Sequence, residues 1–168
     1  MLSILHLLLP GAFSQSSEFE MKAVALEKLA IFIEWPKSDS ENANHNFVIA
    51  ILGQNPFGMT LEQVYKNHKI KDREVKIVYI NDIEQLPECQ MLFIPKVKKG
   101  TLVRILHHVK TLPVLTVSDT EGYARVGCHI NFFNFDGKLR FEINQKAMKL
   151  DGFIVDYKLL RVAKIVHS

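Results

Sequence analysis

The chain has 168 residues, which suits one domain, since single cores run to roughly 100–200 residues before they split. With 48% hydrophobic and 23% charged residues it has the ordinary globular balance, which excludes a disordered chain; folding buries about 70% of the unfolded surface at this length, so neither disulfides nor a metal is required. A net charge of +3, scattered except for Lys96, Lys98 and Lys99, argues against nucleic acid, whose binders present a basic face with interleaved aromatics.

Residues 1–17 read apart from the rest. Leu2 to Phe13 is apolar, interrupted only by Ser3, His6, Pro10 and Gly11, and it runs into the small-x-small sequence Ala12-Phe13-Ser14. The stretch falls short of the roughly 20 residues that cross a bilayer, and so reads as a signal peptide for export. No Lys or Arg precedes it, so the basic n-region of such signals is missing. The alternative is an N-terminal helix packed on the core.

Residues 18–168 read as a single domain without repeats, low-complexity tracts or linkers. Glu18 to Glu34 places Phe19, Val24, Leu26, Leu29, Ala30 and Ile33 at helical spacing, and Trp35-Pro36 predicts the end of that helix. Asn46 to Leu52 is a β-branched run without alternation, as in a strand buried on both faces. Asn55-Pro56-Phe57-Gly58 turns the chain into a helix over Thr60 to Tyr65. Strands are predicted at Val75 to Ile80, Met91 to Ile94 and Val114 to Val117, with a helix at Gly100 to Val109. Strands separated by helices demand right-handed crossovers, hence a parallel sheet of about four strands with helices on both faces. Cys128 to Phe135 and Lys138 to Ile143 then form an antiparallel hairpin, because Asp136-Gly137 supplies the positive φ of a type I′ turn. Gln145 to Leu150 and Tyr157 to Val166 predict two closing helices, the last capped by Asp156. The fold class is α/β, a mainly parallel sheet with a C-terminal antiparallel hairpin.

The motifs of familiar chemistry are missing. Gly53 to Gly58 lacks the second glycine of a phosphate-binding GxGxxG turn and puts Pro56 where an amide is wanted. The segment still follows a strand at the end where open α/β sheets bind ligands, so Asn55 and Phe57 are candidates for partner or ligand contact, against a plain loop. His107-His108 and Cys128-His129 are badly spaced for zinc, since neighbours on a helix or strand point apart. Ser118-Asp119 lacks a nucleophile elbow and suits a Ser or Asx turn. The loop Ser118 to Gly127 is the richest in functional side chains. Arg125 either clamps a carboxylate or phosphate, with Tyr123 offering a ring face, or pairs with Asp119 and pins the loop. Trp35, at a helix end, reads as a core anchor. Cys89 and Cys128 are expected on opposite edges of the sheet, too far apart for a disulfide, whose Cα atoms lie within about 7 Å.

Taken in order, several stretches form a family pattern: Ile33-Glu34-Trp35-Pro36; Ile51 to Gly58 (ILGQNPFG); Cys89 to Ile94 (CQMLFI); and Pro113 to Asp119 (PVLTVSD). They are followed by Gly122-Tyr123-Ala124, Ile130-Asn131-Phe132, Leu139 to Asn144 (LRFEIN) and Leu159 to Ala163 (LLRVA). Over residues 18–166 they resemble the YfiR-like family of periplasmic proteins. That resemblance implies an exported α/β protein without catalytic activity that acts through protein contacts. The implied partner is the extracytoplasmic part of a membrane signalling protein, of diguanylate cyclase or sensor kinase type, and the implied action is repression of a cyclase. Cys128 stands where the family commonly has a glycine, and the family's cysteine framework is not matched, so regulation by disulfides does not carry over.

The leading expectation is therefore a periplasmic regulator with no cofactor and no metal. A small-molecule sensor using the Gly53 to Gly58 turn and the Asp119 to Gly127 loop is the alternative. A hydrolase would need a base beside Ser118, and homodimerisation stays open.

Overall fold

The computed structural model describes residues 12–37 and 46–167, with side chains from Glu18 onward. Most of the expected leader, residues 1–11, lies outside the described residues, and helix α1, Ala12–Ile31, starts within the remainder. Ala23, Leu26, Leu29 and Ala30 recur every three or four residues and are buried, whereas Val24 falls beside this stripe and is exposed, contrary to its place in the expected face. The helix also stops earlier than Trp35-Pro36 predicts. Phe32 bonds back to Leu29, and the chain leaves as strand β1, Ile33–Glu34, because residues 154–155 are there to pair with it.

The remaining elements are β2 (Phe47–Leu52), α2 (Thr60–Tyr65), β3 (Lys69–Ile70), β4 (Arg73–Ile80), β5 (Met91–Ile94) and α3 (Lys99–Val109). They continue through β6 (Leu115–Ser118), α4 (Tyr123–Val126), β7 (Ile130–Phe135) and β8 (Lys138–Asn144). The chain closes with α5 (Gln145–Leu150), β9 (Ile154–Val155), α6 (Tyr157–Leu160) and β10 (Lys164–Val166). Strand order in the main sheet is β10-β8-β7-β6-β5-β2-β4-β3, and β1 and β9 form a separate antiparallel ribbon.

The core β4-β2-β5-β6-β7 is parallel, one strand more than expected, because the first hairpin strand joins β6 in parallel at Val117↔Ile130. The hairpin itself turns at Asp136 and Gly137, both at positive φ, between Phe135 and Lys138. Tyr157 to Val166 is not one helix. It breaks after Leu160, and Lys164-Ile165-Val166 instead adds to the free edge of β8 in parallel. The β-branched pair satisfies its backbone on an edge that would otherwise stay open.

Alternation along β2 builds the two layers. Phe47, Ile49 and Ile51 face α1, α2, Met148, Phe153 and Leu159 in one apolar cluster. Val48, Ala50 and Leu52 face α3, Val114 and Tyr123 in the other. Cys89 and Cys128 both sit in this second layer as buried free thiols, not on opposite edges; they precede β5 and β7, which only β6 separates.

Candidate functional site

In open α/β sheets ligands bind beyond the carboxyl ends of strands, where the strand order reverses. Here that place lies between β2 and β5, since the chain adds β4 on one side of β2 and β5 on the other. The crevice is filled by the protein itself. Phe57, 3% exposed, lies edge-on against Phe93 of β5 at 4.8 Å and Phe19 of α1 at 5.4 Å. Asn55 builds the turn that delivers it: its Oδ1 accepts from Phe57 N at 2.9 Å, and its Nδ2 donates to Gly58 O at 2.7 Å. Gly53 and Gly58 take the positive φ that the turn needs.

The Ser118 to Gly127 loop lies at the same end. Ser118 Oγ donates to Ile94 O at 2.7 Å and accepts from Thr120 N at 3.2 Å, so the hydroxyl is engaged in a turn and touches no base. Asp119 does not pair with Arg125. Its Oδ2 accepts from Lys22 Nζ of α1 at 2.7 Å, and the same ammonium reaches Glu18 at 2.6 Å. Tyr123 is buried; its hydroxyl accepts from Val97 N at 2.7 Å and donates to Val97 O at 2.8 Å, tying the loop to the one after β5. Its ring offers no open face. Arg125 stands exposed on α4 with no ion pair among the described residues, beside an exposed Val126, and Met59, on the loop after β2 at the same end of the sheet, is 66% exposed. Of the five candidates, Phe57 and Tyr123 are structural, Asn55 and Asp119 are half-buried, and Arg125 faces solvent.

His129 is buried rather than available to a metal. Thr116 N donates to its Nδ1 at 3.1 Å, which leaves the ring proton on Nε2, aimed at Asp151 Oδ2 at 3.0 Å. Thr116 Oγ1 lies 3.0 Å from Nδ1, so hydroxyl, imidazole and carboxylate follow one another in the order of a nucleophilic triad. Thr116 and His129 are only 1% and 2% exposed, and Phe153 packs edge-to-face with the imidazole at 5.0 Å. The chain of bonds fastens β6 and β7 to the end of α5. His107 and His108 are both exposed. Among the described residues no group of three or more His, Cys, Asp or Glu is placed to hold a metal ion.

The opposite, amino end of the sheet carries what sequence reasoning missed. A cavity of about 610 Å³ opens there, between the starts of β2, β4, β5 and β6. Three apolar-proline pairs lead the chain into it, Trp35-Pro36, Leu86-Pro87 and Leu112-Pro113. Trp35 packs on the core as expected but stays half-buried, with one side turned to the cavity. Its Nε1 donates to Gln90 O at 2.9 Å, and Phe47 and Phe153 meet the ring edge-on at 5.6 and 6.0 Å. Lys71 Nζ sits 5.0 Å over the same ring and donates to Ile33 O at 2.7 Å. Partial burial lowers the pKa of this ammonium, against the opposing pull of Glu34.

A family model described as YfiR/HmsC-like matches residues 19–164, from within α1 to the first residue of β10. The chain belongs to the YfiR/HmsC-like family. No curated protein matches this family member. Among solved structures it is similar to the ABC domain in complex with L-Trp from Streptococcus pneumonia, with a TM-score of 0.53 and 9% identity over 71% of this chain. The match covers 55% of that chain, and at such identity the likeness is one of fold alone. The YfiR/HmsC-like domain thus has an α/β body whose carboxyl end is closed by Phe57 and the Lys22–Asp119 pair, and whose amino end, among the described residues, carries the cavity. Among the described residues, no helix is long and apolar enough to cross a membrane.

Proposed function

We propose that this YfiR/HmsC-like protein is exported, with residues 1–17 as its signal peptide, and acts in the periplasm as a non-catalytic regulator. It binds the extracytoplasmic part of a membrane signalling protein and represses a diguanylate cyclase. The family match carries the reading, because it spans nearly the whole described body, so any family role falls to this one domain. The geometry is compatible with it: the hydroxyl of Ser118 and the Thr116–His129–Asp151 chain, the nearest approaches to catalytic groups, are spent on internal bonds. The partner surface in this reading is the rim of the carboxyl end, where Arg125 and Met59 are exposed on loops held from below by Tyr123 and Asn55.

Deletion of the gene should raise cellular cyclic-di-GMP, and the wild-type protein, recovered from the periplasm without its first residues, should restore it. The Met59→Glu/Arg125→Glu variant should fold with an unchanged Tm and fail to restore it. Unaltered cyclic-di-GMP on deletion, or a protein retained in the cytosol at full length, overturns the reading.

A further inference from the structure

We infer that the cavity at the amino end of the sheet is a binding site for a small aromatic carboxylate, with its ring against Trp35 and its acid on Lys71. At about 610 Å³ it has the size of small-molecule sites, which span roughly 300–1,000 Å³ and combine apolar walls with a few fixed polar groups. Its walls are preorganised. The indole of Trp35 is locked by the bond to Gln90 O and by Phe47 and Phe153. Pro36, Pro87 and Pro113 carry no backbone N–H and little freedom to lose, so binding would order almost nothing.

Lys71 supplies the specificity. It stands in a two-residue hairpin turn between Ile70 and Arg73, where Lys71 and Asp72 take φ of 51° and 61°. Such turns favour Asn-Gly or Asp-Gly, and a lysine there holds a left-handed conformation that its Cβ disfavours. Strain of that kind is retained where it places a side chain. Its ammonium is held by a carbonyl, Ile33 O, and by the face of a ring, both neutral. No carboxylate lies within 4.0 Å of it among the described residues, whereas Lys69 on the same hairpin is paired with Glu74 at 2.9 Å. Among the described residues, a cation held by neutral groups beside an aromatic wall, with Glu34 acting on it only at longer range, is complementary to a ring bearing an acid. The other ionisable groups lining the cavity are Glu34, Arg73, Glu88, Cys89 and His108; Arg73 adds a second positive charge, and both glutamates, like Lys71, are exposed to solvent. This inference is independent of the partner assigned above.

Trp35 is the only tryptophan of the chain, so tryptophan emission arises from the cavity wall. The purified protein is titrated with 3-phenylpropionate, its amide and 3-phenylpropylamine while that emission is followed. The acid should give a saturable change, with the amide at least tenfold weaker and the amine weaker still. Lys71→Met, which keeps the apolar stem, should bring acid and amide within a factor of about two of each other. Leu112→Glu, at the exposed rim and remote from the turn, should weaken the acid at least tenfold and spare the amide, which keeps the test decisive if Lys71→Met fails to fold. No saturable change with any of the three compounds overturns the site. Equal binding of acid and amide by the wild type, or discrimination that survives in folded Lys71→Met, overturns the ligand class.

Discussion

Lys22 and Asp119 lie 97 positions apart in the chain and meet at 2.7 Å, with Lys22 almost fully buried. The pair joins α1 to the loop after β6, so the helix that covers one face of the sheet also fixes the carboxyl-end rim. Removing one member of a buried pair strands the other. Asp119→Ala should therefore cost about 1–3 kcal/mol in urea unfolding, since Asp119 is itself partly exposed and Glu18 remains as a second acceptor. Glu18→Gln, at the more exposed end of the trio, should cost about 0.5 kcal/mol. Equal losses for the two would mean that the Asp119 contact is not the principal one.

Phe57 and Asn55 separate packing from surface at the same turn. Phe57→Ala should cost about 3–5 kcal/mol, because the buried ring packs edge-on against both Phe19 and Phe93. Asn55→Ala removes only the two turn bonds, at about 1 kcal/mol. Thermal unfolding should rank them in that order, with Tm displaced by about 2–4 °C per kcal/mol at this chain length.

Residues whose partners lie close in sequence were legible. Phe47 to Leu52 is buried throughout, as its unbroken apolar run predicts, and Asp136-Gly137 closes the hairpin because two residues suffice to specify a type I′ turn. Lys71-Asp72 performs the same task without a glycine and so gave no turn signal. Ile33-Glu34 and Lys164 to Val166 were read as helix, since their strand character comes from β9 and β8, more than a hundred and about twenty residues away in the chain. The candidate site followed the same divide. The carboxyl-end loops are contiguous and stood out, but a filled crevice cannot be told from an open one without knowing that Phe19 and Phe93 meet Phe57. The amino-end cavity draws on segments from Glu34 to Val114 that no local pattern connects.

Tyr123 and Arg125, two residues apart, should respond oppositely to mutation. Tyr123→Phe deprives Val97 N and O of their partner and should cost about 1–2 kcal/mol, partly offset by water because Val97 is only half-buried. Arg125→Glu should leave unfolding within about 0.5 kcal/mol of wild type, as for surface substitutions without a buried partner. A destabilised Arg125→Glu protein would show that Arg125 has a structural contact and would remove it from the proposed partner surface.

The two thiols make stability fall at alkaline pH. Burial pushes Cys89 and Cys128 up from 9.0 to about 12, because the thiolate would have to form inside the layer under α3. A raised pKa means that the native state holds these protons after the unfolded chain has lost them. Their contribution is fully present below about pH 9 and is lost as pH rises toward 12, by about 1.4 kcal/mol per pH unit for each proton retained. Tyr65 and Tyr79, both raised chiefly by burial, extend the loss above pH 10, while Lys71, lowered by desolvation, opposes it. Urea unfolding at pH 8, 9 and 10 should show a steepening decline, and Cys89→Ala/Cys128→Ala should flatten its first part whatever the cavities cost at pH 8. A thiol reagent at pH 8 should label neither cysteine in the folded protein and both in urea, since burial withholds access as well as charge. Rapid labelling of the native protein, or an unchanged slope in the double variant, would contradict the burial that places both sulfurs in one apolar layer.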